Sequence, residues 1–160
     1  MKDIEIQKTN RRSFIKASGT AVAAGGLAFP SVTFGKPDSR KLKIGFIGCG
    51  GRGTGAATQA LTADSNVELW AMGDVSQDRL DRSLKSVKGS HGNKVNVEEK
   101  RQFLGLDSYR KVLDSGIDLA ILTTPPGFRP QHFKAAVDAG KHVFLEKPMA
   151  TDAPGLRSVM

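Results

Sequence analysis

Three glycines with the spacing G-x-G-x-x-G, Gly48, Gly50 and Gly53, directly follow the short apolar run at residues 44–47. In such a loop the first glycine permits a tight turn and the second lets a pyrophosphate approach the backbone. The third lets a helix pack closely on a strand. The apolar run suits a buried parallel strand, and residues 54–61 have the pattern of a helix. Because the start of that helix would offer free N–H groups to phosphates, the spacing predicts a dinucleotide site.

A carboxylate stands where such a site needs one. A second apolar run, at residues 67–72, ends at Gly73-Asp74, about 20 residues beyond the loop, where an acidic residue accepts hydrogen bonds from a ribose. A third apolar run, at 117–122, ends at Thr123-Thr124-Pro125-Pro126. The three together predict an α/β fold, a Rossmann-type doubly wound parallel sheet. The alternative is a helix-capping glycine loop with a solvated aspartate.

Lys147 is the candidate catalytic residue. It follows the short apolar run at 143–145 within Glu146-Lys147-Pro148, so its ammonium lies at a predicted strand end. There it could donate a hydrogen bond to a substrate hydroxyl and stabilise the alkoxide that develops as hydride leaves. From spacing alone, an ordinary Lys-Pro turn is the simpler interpretation.

Two further polar residues lie near the third strand end. Ligands of open α/β sheets bind outside the carboxyl ends of strands, which makes the loop at 123–130 a candidate wall of the site. Arg129 could bind a phosphate or a carboxylated substrate, or be a solvated charge, and the two interpretations are equally supported. His132 falls in the first turn of a predicted helix at 131–139, where a structural or solvent-facing role is favoured over substrate contact.

Cysteine and histidine usage gives no sign of metal chemistry. Cys49 is the only cysteine, so no intramolecular disulfide can form, and its place inside the glycine loop favours a packed thiol over a reactive one. The histidines, His91, His132 and His142, have no metal-ligand spacing with cysteine or carboxylates. We therefore predict no metal site.

The positive charge is concentrated near the N-terminus. The net charge is +8 over 160 residues, and residues 1–43 hold 9 Lys/Arg against 3 Asp/Glu. The remainder is close to balance and has no basic stripe interleaved with aromatic residues. We therefore expect no nucleic-acid binding.

Residues 10–16, with the sequence NRRSFIK, match a twin-arginine export signal and precede a mildly apolar run at 17–29. That run is too short to span a bilayer, and the charged-then-apolar order is that of a signal segment. A surface helix that begins with two arginines is the alternative. We expect 1–38 to be signal peptide and linker, with 39–160 as the folded domain. The product would then engage the Tat export machinery and be periplasmic or extracytoplasmic. Because this route carries folded proteins, we expect a tightly held cofactor.

The remaining pattern predicts alternating elements. Residues 76–87 and 109–114 read as helices, the second stopped by Gly116, and 102–104 as a short strand. Residues 88–101 are polar and interrupted by Gly89 and Gly92, which indicates a surface loop or short insertion.

From about residue 41 onward the chain resembles the Gfo/Idh/MocA family of glucose–fructose oxidoreductases and inositol dehydrogenases. The matching features are the loop at 48–53, Asp74, Thr124-Pro125, and residues 139–143 running into Glu146-Lys147-Pro148. The resemblance implies NAD(P)-dependent oxidation of a sugar or cyclitol CH–OH group, or the reverse, with Lys147 as the catalytic lysine. The implied cofactor-binding residues are Gly48, Gly50, Gly51, Arg52, Gly53, Asp74, Thr124, Pro125 and Glu146. Asp74 favours NAD over NADP, because a carboxylate repels a 2′-phosphate, although NADP stays possible.

Two departures from the family pattern matter. Many members place Asn or His shortly after Thr-Pro, where this chain has residues 126–130, PGFRP. The substrate class should therefore not be copied from the best-known sugar dehydrogenases. We also expect the family's second α+β domain, which supplies the general base, most substrate contacts and the oligomer interface, to be missing. This chain would then be an inactive fragment. The alternatives are an NAD-dependent glycoside hydrolase of the same fold and a non-catalytic nucleotide- or sugar-binding module.

Overall fold

The computed structural model describes residues 40–160, and the predicted export signal lies outside them. Along the chain the elements are β1 (Leu42–Ile47), α1 (Gly51–Ala63), β2 (Val67–Asp74), α2 (Gln77–His91), β3 (Gln102–Leu104), α3 (Ser108–Asp114), β4 (Leu119–Leu122), α4 (Arg129–Asp138), β5 (His142–Leu145) and α5 (Ala153–Val159). Strands and helices alternate, as the apolar runs predicted. No helix within this range combines the length and apolar composition needed to cross a bilayer.

All five strands are parallel and form one sheet in the order β3-β2-β1-β4-β5. β1 is central, and its last residue, Ile47, is in register with Gly73 of β2 and with Leu122 of β4. The chain moves outward in one direction through β2 and β3, and in the other through β4 and β5. The point between β1 and β4 is therefore the topological switch where doubly wound sheets bind ligands. The predicted fold class is confirmed.

The helices cover both faces of the sheet, and each face has its own apolar core. Phe46 and Leu69 are fully buried against α1 and α2, whereas Ile47 and Ala71 are buried against α3 and α4. Alternate residues of β1 and β2 thus supply the two cores, as expected of strands buried on both sides. Burying each large side chain stabilises the fold by about 1.5–3 kcal/mol.

The prediction of a surface loop at 88–101 was wrong for much of that segment. α2 continues through Gly89 to His91, because Val87 is fully buried and anchors its last turns. Val97 and Arg101 are also buried. The Arg101 guanidinium carbon lies 3.6 Å from the ring centroid of Trp70, and its Nε donates to the Trp70 carbonyl at 3.0 Å. This segment therefore covers the β2 side of the sheet.

Helix starts differ from the predicted ones by a few residues. α1 begins at Gly51, within the glycine loop, and α4 begins at Arg129 with Pro130 in its first turn. Proline is tolerated in a first turn because no intrahelical bond needs its missing N–H. Gly116 has φ of +85° just after α3, so its predicted role as a stop signal is confirmed.

Candidate functional site

A cavity of about 570 Å³ opens at the carboxyl ends of β1, β2 and β4. Its walls are residues from four segments, numbered 47–50, 73–79, 105–109 and 123–132. The volume is typical of a small-molecule or cofactor site. The predicted site residues that line it are Gly48, Gly50, Asp74, Thr124, Pro125, Arg129 and His132.

The glycine loop is packed so tightly on its surroundings that two of its glycines have no room for a side chain. Gly48 has φ of +96°, and a Cβ there would lie 2.8 Å from the Thr123 carbonyl carbon. A Cβ on Gly53 would lie 1.9 Å from the Gly48 carbonyl oxygen. A Cβ on Gly50 or Gly51 would instead meet open space. The loop is thus closed toward the protein and open toward the cavity, so a ligand can approach its backbone.

The start of α1 is suited to an anion. Gly50 is the N-cap, and within the described residues no side chain caps the helix and no acidic residue lies in its first turn. Its leading N–H groups and positive dipole end are therefore left for a ligand. These groups, with the open face of Gly50 and Gly51, fit a dinucleotide pyrophosphate.

Asp74 anchors the loop as well as lining the cavity. Its carboxylate is buried; Oδ2 accepts from the Cys49 N–H at 2.6 Å and Oδ1 accepts from the Ser76 N–H at 2.9 Å. Each carboxylate oxygen can accept a second hydrogen bond. Asp74 can therefore hold the glycine loop and still accept from a ribose hydroxyl.

Cys49 is a packed thiol, as predicted. Its side chain is buried and its Sγ lies 3.5 Å from the Gly73 carbonyl oxygen. Burial, and secondarily the charge of Asp74, raise the pKa of the thiol far above its usual range. A thiol held neutral in this way is a poor nucleophile.

Of the two interpretations drawn for Arg129 from the sequence, the structure contradicts the solvated charge, while contact with an anionic ligand stays a prediction for a residue that lines the cavity. It is 6% exposed, so it is not a solvated charge. Its donors are engaged by protein carbonyls: Nε donates to Thr124 O at 2.7 Å, and Nη1 donates to Glu146 O at 2.8 Å and to Pro148 O. Burial lowers the pKa of the guanidinium, and the charge of Glu146 opposes that change. Arg129 therefore joins two loops of the protein.

Glu146 and Lys147 follow β5 and differ in environment. The Glu146 carboxylate is buried and its Oε2 accepts from Arg52, at 2.8 Å from Nε and 2.7 Å from Nη2. This hydrogen bond holds the pKa of Glu146 below its usual range. Lys147 is exposed, and neither it nor Glu146 lines the cavity. Arg52 and Glu146 thus form an ion pair, and their contact with a cofactor stays a prediction.

His132 is a buried, neutral residue in the cavity wall. Its Nδ1 lies 3.1 Å from Thr124 Oγ1, and its ring stacks on Tyr109 with centroids 4.2 Å apart. On its other side Phe128 stacks at 6.1 Å. Burial lowers the pKa of the imidazole to about 4. These contacts favour the structural role that the sequence indicated, although the residue does border the cavity.

The segment after β3 is a part of the wall that sequence reasoning missed. Residues 105–109, with Ser108 and Tyr109 buried, line the cavity, as does Arg79 on the first turn of α2. The signal for 105–109 was present, because the strand predicted at 102–104 ends there. The same strand-end rule that selected Thr124 applies to it.

No cluster of three or more histidine, cysteine or acidic residues suited to a metal ion occurs within residues 40–160.

Comparison with protein families gives a match over residues 42–160 to the model described as GFO_IDH_MocA, oxidoreductase family, NAD-binding Rossmann fold. Among curated proteins, a "Glycosyl hydrolase family 109 protein" of Shewanella baltica is 33% identical over 163 residues, which covers 88% of this chain and 34% of the relative. The chain thus spans about a third of the length of the curated relatives it matches.

Similar solved structures include scyllo-inositol dehydrogenase from Lactobacillus casei. Its apo form has a TM-score of 0.60 and 29% identity, covering 76% of this chain and 32% of that one. The form with bound NAD(H) and scyllo-inositol also has a TM-score of 0.60, with 28% identity over 75% of this chain and 32% of that one. A myo-inositol 2-dehydrogenase from Lactobacillus plantarum shares the fold, with a TM-score of 0.60 and 24% identity over 75% and 32% of the two chains.

Proposed function

The chain belongs to the Gfo/Idh/MocA oxidoreductase family, with an NAD-binding Rossmann domain at residues 42–160, and we propose that its complete gene product oxidises or reduces a CH–OH group of a sugar or cyclitol. The observation that carries this proposal is the glycine loop, closed toward the protein and open toward a cavity bounded by Asp74. The substrate class is supported by the similar dehydrogenase that binds scyllo-inositol with NAD(H).

Different residues around the glycine loop would bind different parts of the cofactor. The N–H groups at the start of α1 would bind the pyrophosphate, and the free acceptor sites of Asp74 would bind a ribose hydroxyl. A carboxylate at that position repels a 2′-phosphate and so favours NAD. Arg79, which lines the same cavity, would offset this repulsion in part and so permit NADP as a second cofactor.

Lys147 is the residue we assign to stabilising the negative charge that develops on the substrate oxygen. Bound nicotinamide accepts or supplies the hydride, and the protein must stabilise charge on the substrate oxygen. The Lys147 side chain is exposed, and its ammonium has no hydrogen-bond or ion-pair partner within the described residues. It is therefore free to donate to a substrate hydroxyl and to stabilise the oxyanion as the C–H bond breaks. Glu146 is paired with Arg52, which leaves Lys147 as the charged side chain of the turn that has no partner within the described residues.

The test uses the purified complete gene product. It should release stoichiometric NAD(H) on denaturation, identified by mass spectrometry, and form NADH with at least one polyol of a panel. Lys147→Ala should lower kcat by about 10²- to 10⁴-fold and leave NAD affinity unchanged. Lys100→Ala, at an exposed lysine paired with Glu98, is the matched control. A product that neither contains nor binds nucleotide would contradict the proposal, and so would an undiminished kcat in Lys147→Ala.

A second candidate is an NAD-dependent glycoside hydrolase, which the name of the Shewanella baltica relative favours. Such an enzyme oxidises its sugar transiently, eliminates the aglycone and reverses the oxidation. It would release aglycone from aryl glycosides with no net NADH, whereas a dehydrogenase would accumulate NADH from a polyol. A non-catalytic module would do neither, and Lys147→Ala would leave its biological role intact.

We also propose export by the twin-arginine route, on the sequence of residues 10–16 alone. Replacing both Arg11 and Arg12 with lysine should retain a reporter fusion in the cytoplasm, whereas the unaltered leader should deliver it to the periplasm. Equal distribution of the two fusions would count against export by this route.

A further inference from the structure

The Arg129 side chain joins the two loops that flank the carboxyl ends of β4 and β5. Its Nε binds the carbonyl oxygen of Thr124, in the turn that lines the cavity. Its Nη1 binds the carbonyl oxygens of Glu146 and Pro148. Those two carbonyls belong to the residues on either side of Lys147. One guanidinium therefore fixes the backbone before and after the lysine relative to the cavity wall.

We propose that Arg129 is a positioning residue that sets the place of Lys147 relative to the bound cofactor. The proposal rests on the function proposed above, in which Lys147 stabilises the charge on the substrate oxygen. Arg129 touches neither substrate nor reacting atoms in this scheme. It acts through the main chain of the turn, and the exposed Lys147 side chain extends from a base that Arg129 holds in place.

Burying a charged arginine at this position is energetically costly, which indicates that its hydrogen bonds to the turn at 146–148 are important for the structure of that turn. Arg129 is the first residue of α4, where the positive end of the helix dipole disfavours a cation. It is also 6% exposed, and burying a guanidinium is unfavourable unless it is paired and hydrogen-bonded. What offsets both costs is the set of carbonyls it binds and the negative charge of Glu146. A helix start alone would be better served by a polar or acidic residue.

The shape of the guanidinium explains why the residue is arginine. Nε and Nη1 are separate donors in a rigid plane, and they bind acceptors on two different loops. A lysine ammonium keeps the charge but is a single point donor on a flexible stem. Arg129→Lys thus removes the bridge between the loops while it keeps the charge, and Arg129→Gln removes both.

The kinetic test compares these two variants of the complete gene product with Arg82→Lys, a control at an exposed arginine paired with Asp78. We expect Arg129→Lys to lower kcat by about 10²-fold, the effect of a misplacement near 1 Å. The NAD dissociation constant should change far less than kcat, because Arg129 borders the cavity beside Thr124 but makes no hydrogen bond to the glycine loop or to Asp74. Arg129→Gln should lower kcat at least as far. The proposal would be overturned if the loss of kcat were no larger than the loss of folded protein. It would also be overturned if NAD affinity fell by the same factor as kcat.

A second measurement needs no substrate and so separates this proposal from the proposed function. In the 160-residue chain Cys49 is the only cysteine, and it is buried, so Lys147→Cys can be labelled selectively with a nitroxide. We expect the label to move slowly when Arg129 is present and faster in the Arg129→Lys background, with the Arg82→Lys background unchanged. Identical spectra in all three backgrounds would overturn the positioning role. If the complete gene product turns over no polyol, the proposed function is contradicted. The mobility of the label would still show whether Arg129 positions the turn that carries residue 147.

Discussion

The carbonyl oxygen of Gly48 lies where a side chain on Gly53 would begin, with only 1.9 Å between that oxygen and a Cβ placed on Gly53. The first and third glycines of the loop are therefore in direct contact. The Gly48 carbonyl leaves no room for a side chain on Gly53, whereas Gly48 itself is confined by its φ of +96° and by the Thr123 backbone. Thr123, the residue after β4, packs against the same contact, and its Oγ1 donates to Gly48 O at 2.8 Å. The turn and the first helical turn thus form one rigid unit under the cofactor.

Gly53→Ala should therefore lower the free energy of unfolding by about 3 kcal/mol, at the upper end of the range for overpacking, and weaken NAD binding. Gly55→Ala is the matched control two residues later in α1, where a Cβ meets nothing within 4 Å. It should stabilise the protein by about 0.5–1 kcal/mol, because alanine favours the helix. Urea unfolding followed by circular dichroism measures both. Equal effects of the two substitutions would contradict the packing argument.

Asp74→Asn should weaken both the loop and the cofactor site. The amide keeps only one acceptor oxygen where the carboxylate accepts from Cys49 N and Ser76 N, and it carries no charge. We expect NADH affinity to fall about tenfold, the loss of one hydrogen bond to a charged group. NADPH affinity should rise relative to NADH, because the repulsion of the 2′-phosphate is gone. Fluorescence titration with both nucleotides measures this, and Asp78→Asn, on the exposed surface of α2, should change neither.

Burial of His132 should make stability pH-dependent on the acid side. Its pKa in the folded state is about 4, against about 6.5 for an exposed imidazole. Between these values the unfolded chain binds a proton that the folded chain does not, so stability is lost as pH falls from 6.5 toward 4. We expect a loss of roughly 2 kcal/mol, less than the full shift implies because the ring borders the cavity.

The check on this pH dependence is urea unfolding at several pH values. His132→Gln should flatten the stability profile in this window, although the variant starts from a lower stability. His142→Gln, at an exposed residue of β5, should leave the slope of the profile as it is. A slope that survives in His132→Gln would mean that another group titrates there.

Arg52 and Glu146 should behave as a coupled pair. Arg52→Gln removes the hydrogen bonds that hold the pKa of Glu146 below its usual range, so that pKa should rise in the variant. Thermal unfolding should show a lower Tm for Arg52→Gln and for Glu146→Gln. The Tm of the double variant should be no lower than that of the less stable single variant, because the double variant leaves no uncompensated charge. Strictly additive losses would mean that the two side chains do not interact in solution.

The sequence predicted well what depends on local pattern. The apolar runs identified four of the five strands, and the fifth was predicted as a short strand at 102–104. The spacing of Gly48, Gly50 and Gly53 identified the loop at the end of β1. Asp74 was found by its distance from that loop. These predictions succeed because apolar runs and glycine spacing can be read within short stretches of the chain.

What the sequence could not predict are contacts between residues far apart in the chain. The interpretation of Arg129 depended on Glu146 and Pro148, whose carbonyls come from a different strand end. The burial of Arg101 depended on Trp70, against which it stacks. Polar composition suggested a solvated segment at 88–101, yet tertiary packing buried part of it. Such pairings are set by the topology of the sheet rather than by residue type.

The central place of β1 in a fully parallel sheet also sets an order of assembly on the ribosome. Ile44 can pair with Leu69 of β2 early, but its pairing with Leu119 must wait until β4 has been synthesised. One half of the sheet can therefore form before the other half exists. Parallel sheets without hairpins form slowly, because the entropy cost of closing long loops comes before the stabilising contacts between strands are made. The cavity needs Thr124 and His132 from the later half. NAD can therefore trap only chains that have completed β4 and α4, and it should slow unfolding without speeding the first steps of folding.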